Sequence, residues 1–200
     1  MKKIKAEDLT PKELIINVYL TQMIFFACAV ILSYIFNIPE PWLTLNAVSQ
    51  WQFFTGVLSA AAAVSASYVL KRMLPEQSLD DGGINEKLFG SISTLHILFL
   101  SAVIAVCEEY LFRGTLQPLI GLTGSSLVFV LLHFRYIKKP FLLLFVVFLS
   151  IWLGLLYEWS GSIWLPILFH FLFDAISGMM IARDYRRNSE RKRGESRDDE

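Results

Sequence analysis

The stretch HILFLSAVIAVCEEYLFRGTLQPLI, from His96 to Ile120, places two adjacent acids, Glu108 and Glu109, in the middle of an apolar run, with Arg113 four residues after the second. An ionised side chain at the centre of a membrane helix costs about 2.5–3.5 kcal/mol on insertion scales. Two neighbouring carboxylates in such a run are hard to explain as solvated surface. They need partners, and ionisable groups inside a membrane are functional candidates.

The rest of the chain places this run in a membrane. Hydrophobic residues make up 54% of the 200, and mean hydropathy is +0.50. An ordinary soluble domain has about 45–50% apolar residues with Gly counted. A helix crossing ~30 Å of hydrocarbon needs roughly 20 residues, so a chain of this length accommodates six spans with short loops. Six apolar segments can be read, at about Leu14 to Phe36, Phe53 to Leu70, Leu95 to Phe112, Leu119 to Phe134, Phe141 to Tyr157 and Ile163 to Ile181. The first is too long for a signal-peptide core and lacks an A-x-A-like site, so it is expected to be retained.

Basic residues orient the spans. Lys71, Arg72 and Lys87 fall in the second loop and Arg135, Lys138 and Lys139 in the fourth, whereas the first and fifth loops have neither Lys nor Arg. Trp42, Trp51, Trp159 and Trp164 flank those non-basic loops, as an interfacial aromatic belt requires. Asp80, Asp81, Gly82 and Gly83 read as a turn in the longest loop. The net charge is zero, but Arg183, Arg186, Arg187, Arg191, Lys192, Arg193 and Arg197 crowd the tail. A basic segment after a last span is a topology signal and a contact for anionic lipid, rather than a nucleic-acid surface. Cys28 and Cys107 are two buried small hydrophobes by this reading.

The fold expected is all-α: a polytopic membrane helical bundle of about six transmembrane helices, with both termini cytoplasmic. A single transmembrane domain, residues 1–182, with its ionisable groups inside spans gathered within about 96–178, precedes a basic, disordered cytoplasmic tail at 183–200.

Beyond Ser and Thr, the strongly polar side chains are read on three spans. They are Glu108, Glu109 and Arg113 on the third, His133 on the fourth, and His170 and Asp174 on the sixth. Residues four apart share a helical face. Glu109 can therefore pair with Arg113, His170 can share a face with Asp174, and Phe129 can share one with His133. Glu108, turned ~100° from Glu109, is left to point elsewhere. Pro166, four residues before His170, can kink the last helix and help aim His170 inward, or serve packing alone. His96 reads as an interfacial residue.

Two chemistries fit these groups. In one, Glu108 acts as general base on a water with help from His133, while His170 and Asp174 bind a carbonyl and its developing oxyanion. In the other, His133, His170, Glu108 and Asp174 supply ligands to a divalent metal such as zinc, which activates the water. Spacing alone does not choose between them.

These residues resemble the motifs of the CPBP family of intramembrane proteases. That family includes the type II CAAX prenyl endopeptidases and the bacterial abortive-infection and bacteriocin-immunity homologues. Its pattern is E-E-x-x-x-R, then F-x-x-x-H, then H-x-x-x-N or H-x-x-x-D. The chain has EEYLFR from Glu108, FVLLH from Phe129 and HFLFD from His170.

The resemblance implies an integral, multi-pass protein of the bacterial cell membrane that hydrolyses peptide bonds of membrane-associated or lipidated substrates. Its partners would be the lipid bilayer and a membrane-associated peptide or protein, with no nucleic acid. Glu108 would activate the water with His133, Glu109 and Arg113 would hold the site in shape, and His170 with Asp174 would stabilise the oxyanion. A reaction with no required cofactor is favoured. Asp174 stands where the prenyl endopeptidases have Asn, which leaves it to carry a proton, orient His170 or bind a metal. Rival readings are a non-catalytic immunity or partner-binding membrane protein of the same family and an ion-coupled carrier.

Overall fold

The structure, a computed structural model, describes residues 9–40, 48–75 and 82–198, with backbone alone from 192 onward. Every regular element among the described residues is helical. α1 spans Pro11–Ile35 and α2 spans Gln50–Met73. A short α3, Ile84–Gly90, lies in the loop expected before the third span. α4, Thr94–Glu109, runs into a π-helical turn, Tyr110–Leu116, and then into α5, Gln117–Leu132. A 3-10 turn, Phe134–Tyr136, leads to α6, Pro140–Ser160, and to α7, Trp164–Asp198.

Local sequence fixes the helix starts. Thr10 and Ser49 each accept the backbone N–H three residues on, while Glu13 and Gln52 reach back to the cap backbone. These are reciprocal capping boxes that satisfy two otherwise orphaned donors.

The apolar helical runs long enough to cross a membrane number five among the described residues, because Thr94–Leu132 is continuous. That run nevertheless doubles back. Gly121 has φ 72° and ψ 173°, a conformation essentially restricted to glycine. Ser125 Oγ then donates to the carbonyl of Phe112 at 2.7 Å, although residues 13 apart in a straight helix would be ~20 Å apart. The third and fourth expected spans are thus two arms of one folded helix, so five long apolar helical runs stand where six separate segments were expected. The returning arm is short. From Leu122 to Leu132 it rises about 16 Å, roughly half of the hydrocarbon thickness.

α6 lies close against this fold. A Cβ on Gly154 would fall 2.1 Å from Leu122 Cδ1 and 2.9 Å from Gln117 Oε1, so any larger residue there would push those side chains aside. α7 packs on α2, α3, α4 and α6 and forms the centre of the bundle. α1 and α2 turn most of their apolar side chains outward, as lipid-facing helices do.

Leu14 near the start of α1 and Ala182 of α7 share one apolar cluster with Ile97 and Leu100. The start of α1 and the Ala182 turn of α7 therefore lie together, at the end of the bundle that carries Lys71, Arg72 and Arg183. The positive-inside rule assigns that end to the cytoplasm. Trp51, Trp159 and Trp164 sit exposed at helix ends facing the other side, where Gln52 Nε2 donates to the carbonyl of Trp159 at 3.3 Å.

Three expectations are corrected or only partly tested. Pro166 lies in the first turn of α7, where a missing N–H costs no hydrogen bond, so it starts the helix rather than kinking it. The tail expected to be disordered continues α7 to Asp198. Its Arg, Lys and Glu are strong helix formers with no proline among them. Of the expected Asp80–Gly83 turn, Gly82 and Gly83 take left-handed conformations; Asp80 and Asp81 lie outside the described residues, as does Trp42.

Candidate active site

The double acid stands where α4 passes into the π-helical turn, and its two carboxylates diverge. Short π-helical insertions recur at functional sites. Glu109 is fully buried. Its Oε1 lies 2.8 Å from His170 Nδ1 and its Oε2 lies 3.3 Å from Arg113 Nε. The second contact is a charge contact, since the atoms are not aligned for a hydrogen bond. Arg113, also fully buried, donates from NH2 to the Ser150 carbonyl at 3.0 Å and to Ser150 Oγ at 3.3 Å, and from NH1 to Ser125 Oγ at 3.4 Å. Its guanidinium lies 5.5 Å from the Phe129 ring centre, within cation–π range. The Glu109–Arg113 pair thereby ties the π-helical turn to α5, α6 and α7.

Glu108 points elsewhere, as its rotation around the helix requires. Gln22 of α1 donates from Nε2 to Glu108 Oε1 at 3.0 Å, and both side chains are buried. The Glu108 carboxylate also interacts electrostatically with His170, His133 and Asp174, so groups from the three motif-bearing segments face a common space.

The two histidines are held differently. His170 Nδ1 is anchored on Glu109, and its Nε2 faces Asp174 Oδ2 at 3.5 Å. His133 caps the end of α5. Its Nδ1 is 2.8 Å from the Phe129 carbonyl, and its ring stacks on that of Phe129 at 4.4 Å. A carbonyl only accepts, so Nδ1 carries a hydrogen, and Nε2 is the ring nitrogen left for another partner. No direct hydrogen bond joins His133 to Glu108 among the described contacts.

The structure therefore joins Glu109, Arg113, His170 and Asp174 in one network of contacts, with Glu108 held by Gln22 beside it and Glu108 and His133 linked to it through space alone. Gln22 is the member that the sequence reading passed over. A lone amide in the apolar run LTQMIFF was its only signal. The Glu109–His170 contact was equally unread, because spacing within one helix says nothing of partners on another. His96 is where it was expected, near the start of α4, with Nε2 3.0 Å from the Tyr19 hydroxyl.

As placed, these donors do not suit a metal. Both ring nitrogens of His170 face carboxylates, one nitrogen of His133 is taken by a backbone carbonyl, and no three His, Cys, Asp or Glu side chains among the described residues converge on a common point.

Beside the site, a cavity of about 410 Å³ opens between α2, α4 and α7. Phe53, Ala102, Val106, Ile167, Leu168 and Phe171 line it. Val106 lies one turn from Glu109, and Phe171 follows His170 in the chain. The cavity is apolar and borders the two helices that carry the acids and His170.

The model of the type II CAAX prenyl endopeptidase Rce1-like family matches residues 90–176. The uncharacterized protein YpbD of Bacillus subtilis (strain 168) is 42% identical over 144 residues, covering 72% of this chain and 76% of that protein. The chain belongs to the Rce1-like family. No solved structure matches it. The Rce1-like match contains Glu108, Glu109, Arg113, His133, His170 and Asp174, and it excludes Gln22. An integral membrane protein of an Rce1-like, CAAX-protease-related family is thus consistent with a bundle whose buried charges gather around one double acid.

Proposed function

We propose that the chain is an intramembrane endopeptidase of the bacterial cell membrane. It hydrolyses peptide bonds of membrane-associated or lipidated substrates, using its own side chains and no required metal. The observation that carries this reading is the divergence of the two acids. Glu109 is consumed by Arg113 and His170, whereas Glu108 has one oxygen held by Gln22 and no cation paired to it at bonding distance among the described contacts.

In the reaction, Glu108 takes a proton from a water as the oxygen of that water adds to the scissile carbonyl carbon. His133, whose Nε2 is left for another partner, accepts a hydrogen bond from the same water. His170 is fixed at Nδ1, so Nε2 is aimed at the space before Asp174. A carbonyl oxygen arriving there takes over the long Asp174 contact, and His170 stabilises the negative charge that develops. Asp174 orients the ring until then. Glu108 then delivers its proton to the amide nitrogen, and the C–N bond breaks. The apolar cavity against Val106 and Phe171 suits a hydrophobic segment or chain of the substrate.

The test compares membrane-peptide profiles from cells carrying the wild-type chain or Glu108→Ala at equal abundance. Peptides that appear only with the wild type are the expected outcome. Identical profiles would sink the reading and favour a non-catalytic, partner-binding role.

A further inference from the structure

The basic end of α7 borders a second cavity, of about 430 Å³, lined by Thr94, Met179, Arg183, Arg186, Arg187 and Glu190 among others. We infer that this cavity binds the phosphate of an anionic lipid headgroup. It is separate from the double acid.

Depth is the first argument. From Trp164, at the aromatic end, to Arg183 the helix rises about 28 Å at ~1.5 Å per residue, close to the ~30 Å of a hydrocarbon core. Arg183 therefore emerges at the level of the lipid phosphates. Met179, a turn deeper, gives the cavity an apolar floor, as a headgroup followed by acyl chain requires.

The second argument is how the cations are held. Arg183, Arg186 and Arg187 stand at i, i+3 and i+4, on one face of α7. Arg186 donates to the Ile92 carbonyl at 3.0 Å, which fixes the wall of the cavity against the residues before α4. Arg183 has no hydrogen bond or ion pair among the described residues. Arg187 shares Asp184 with Lys71 at 3.7 and 3.6 Å, and all three side chains are exposed, so a better anion can displace that contact. Glu190 is the one acid in the lining, and three guanidinium groups outweigh it. Guanidinium forks match phosphate oxygens two at a time, and basic pockets at membrane surfaces hold phospholipid headgroups.

The experiment measures thermal unfolding and lipid retention of the purified full chain in phosphatidylcholine nanodiscs with and without phosphatidylglycerol. Phosphatidylglycerol is expected to raise the unfolding temperature and to remain bound through native mass spectrometry. Arg183→Gln with Arg187→Gln should reduce its apparent affinity at least tenfold, and Arg186 stays intact in that variant to keep the wall. Lys138→Gln with Lys139→Gln, which removes the same charge elsewhere, should leave binding unchanged. An equal loss in both double variants would overturn the site, since it would mean diffuse attraction. Equal stabilisation by inorganic phosphate would also overturn it, since the cavity would then bind a free anion.

Discussion

Glu109 Oε1 sits 2.8 Å from His170 Nδ1, joining the helix that bears the double acid to the last span. With Arg113 on its other oxygen, Glu109 closes a buried charge network in which neither member reaches lipid. Removing one partner of such a pair costs about 3–5 kcal/mol, because the other charge is left uncompensated. Glu109→Ala should lower the unfolding temperature in detergent far more than Glu108→Ala does. Adding Arg113→Leu to Glu109→Ala should recover part of the stability and none of the peptidase activity.

Gln22 supplies a prediction outside the family-matched region. Its amide holds Glu108 Oε1 at 3.0 Å, and a hydrogen bond to a charged group contributes roughly 1.5–3 kcal/mol. Gln22→Leu should reduce turnover roughly 10- to 100-fold, given a tenfold change per ~1.4 kcal/mol. Membrane insertion and substrate KM should change little. A turnover unchanged from wild type would remove Gln22 from the site.

Gly121 permits the fold-back between the two arms. With φ at 72° and ψ at 173°, any Cβ is strained there by about 1–3 kcal/mol. Gly121→Ala should lower the unfolding temperature and disturb the Ser125 contact that seats Arg113. Thermal unfolding monitored by circular dichroism measures the first effect, and an unchanged transition would count against the strained turn.

Chelation tests the choice of chemistry. Both His170 nitrogens are engaged, so cleavage should survive dialysis against EDTA or ortho-phenanthroline. Loss of cleavage that returns with added zinc would reverse the assignment and require His170 to release Glu109 or Asp174.

The span pattern was legible because lipid imposes it. Long apolar runs, basic loops and interfacial tryptophans are consequences of solvation, and each is written locally in the chain. The i, i+4 pairs Glu109–Arg113 and His170–Asp174 were legible for the same reason, since helix geometry alone sets them side by side. What stayed hidden depends on long-range placement. Gln22 and Glu108 are 86 positions apart, and Tyr110 reaches Glu40 at 2.8 Å across a loop. Whether Pro166 kinks the helix could not be read locally, because it depends on α7 beginning only two residues before it. The short returning arm was read as a full span because hydropathy records apolarity, not the glycine that folds the helix.

The fully enclosed Arg113 constrains how this protein comes to be built. During synthesis the segment with Glu108, Glu109 and Arg113 leaves the ribosome long before the one that brings His170. Alone in lipid it would expose three ionisable groups with no neighbouring helix to receive them. Glu109 and Arg113 can pair within that segment and Gln22 is already present for Glu108, but the Glu109–His170 contact closes only once the last segment arrives. A chain truncated ahead of α7 lacks both the partner of Glu109 Oε1 and the helix on which four others pack.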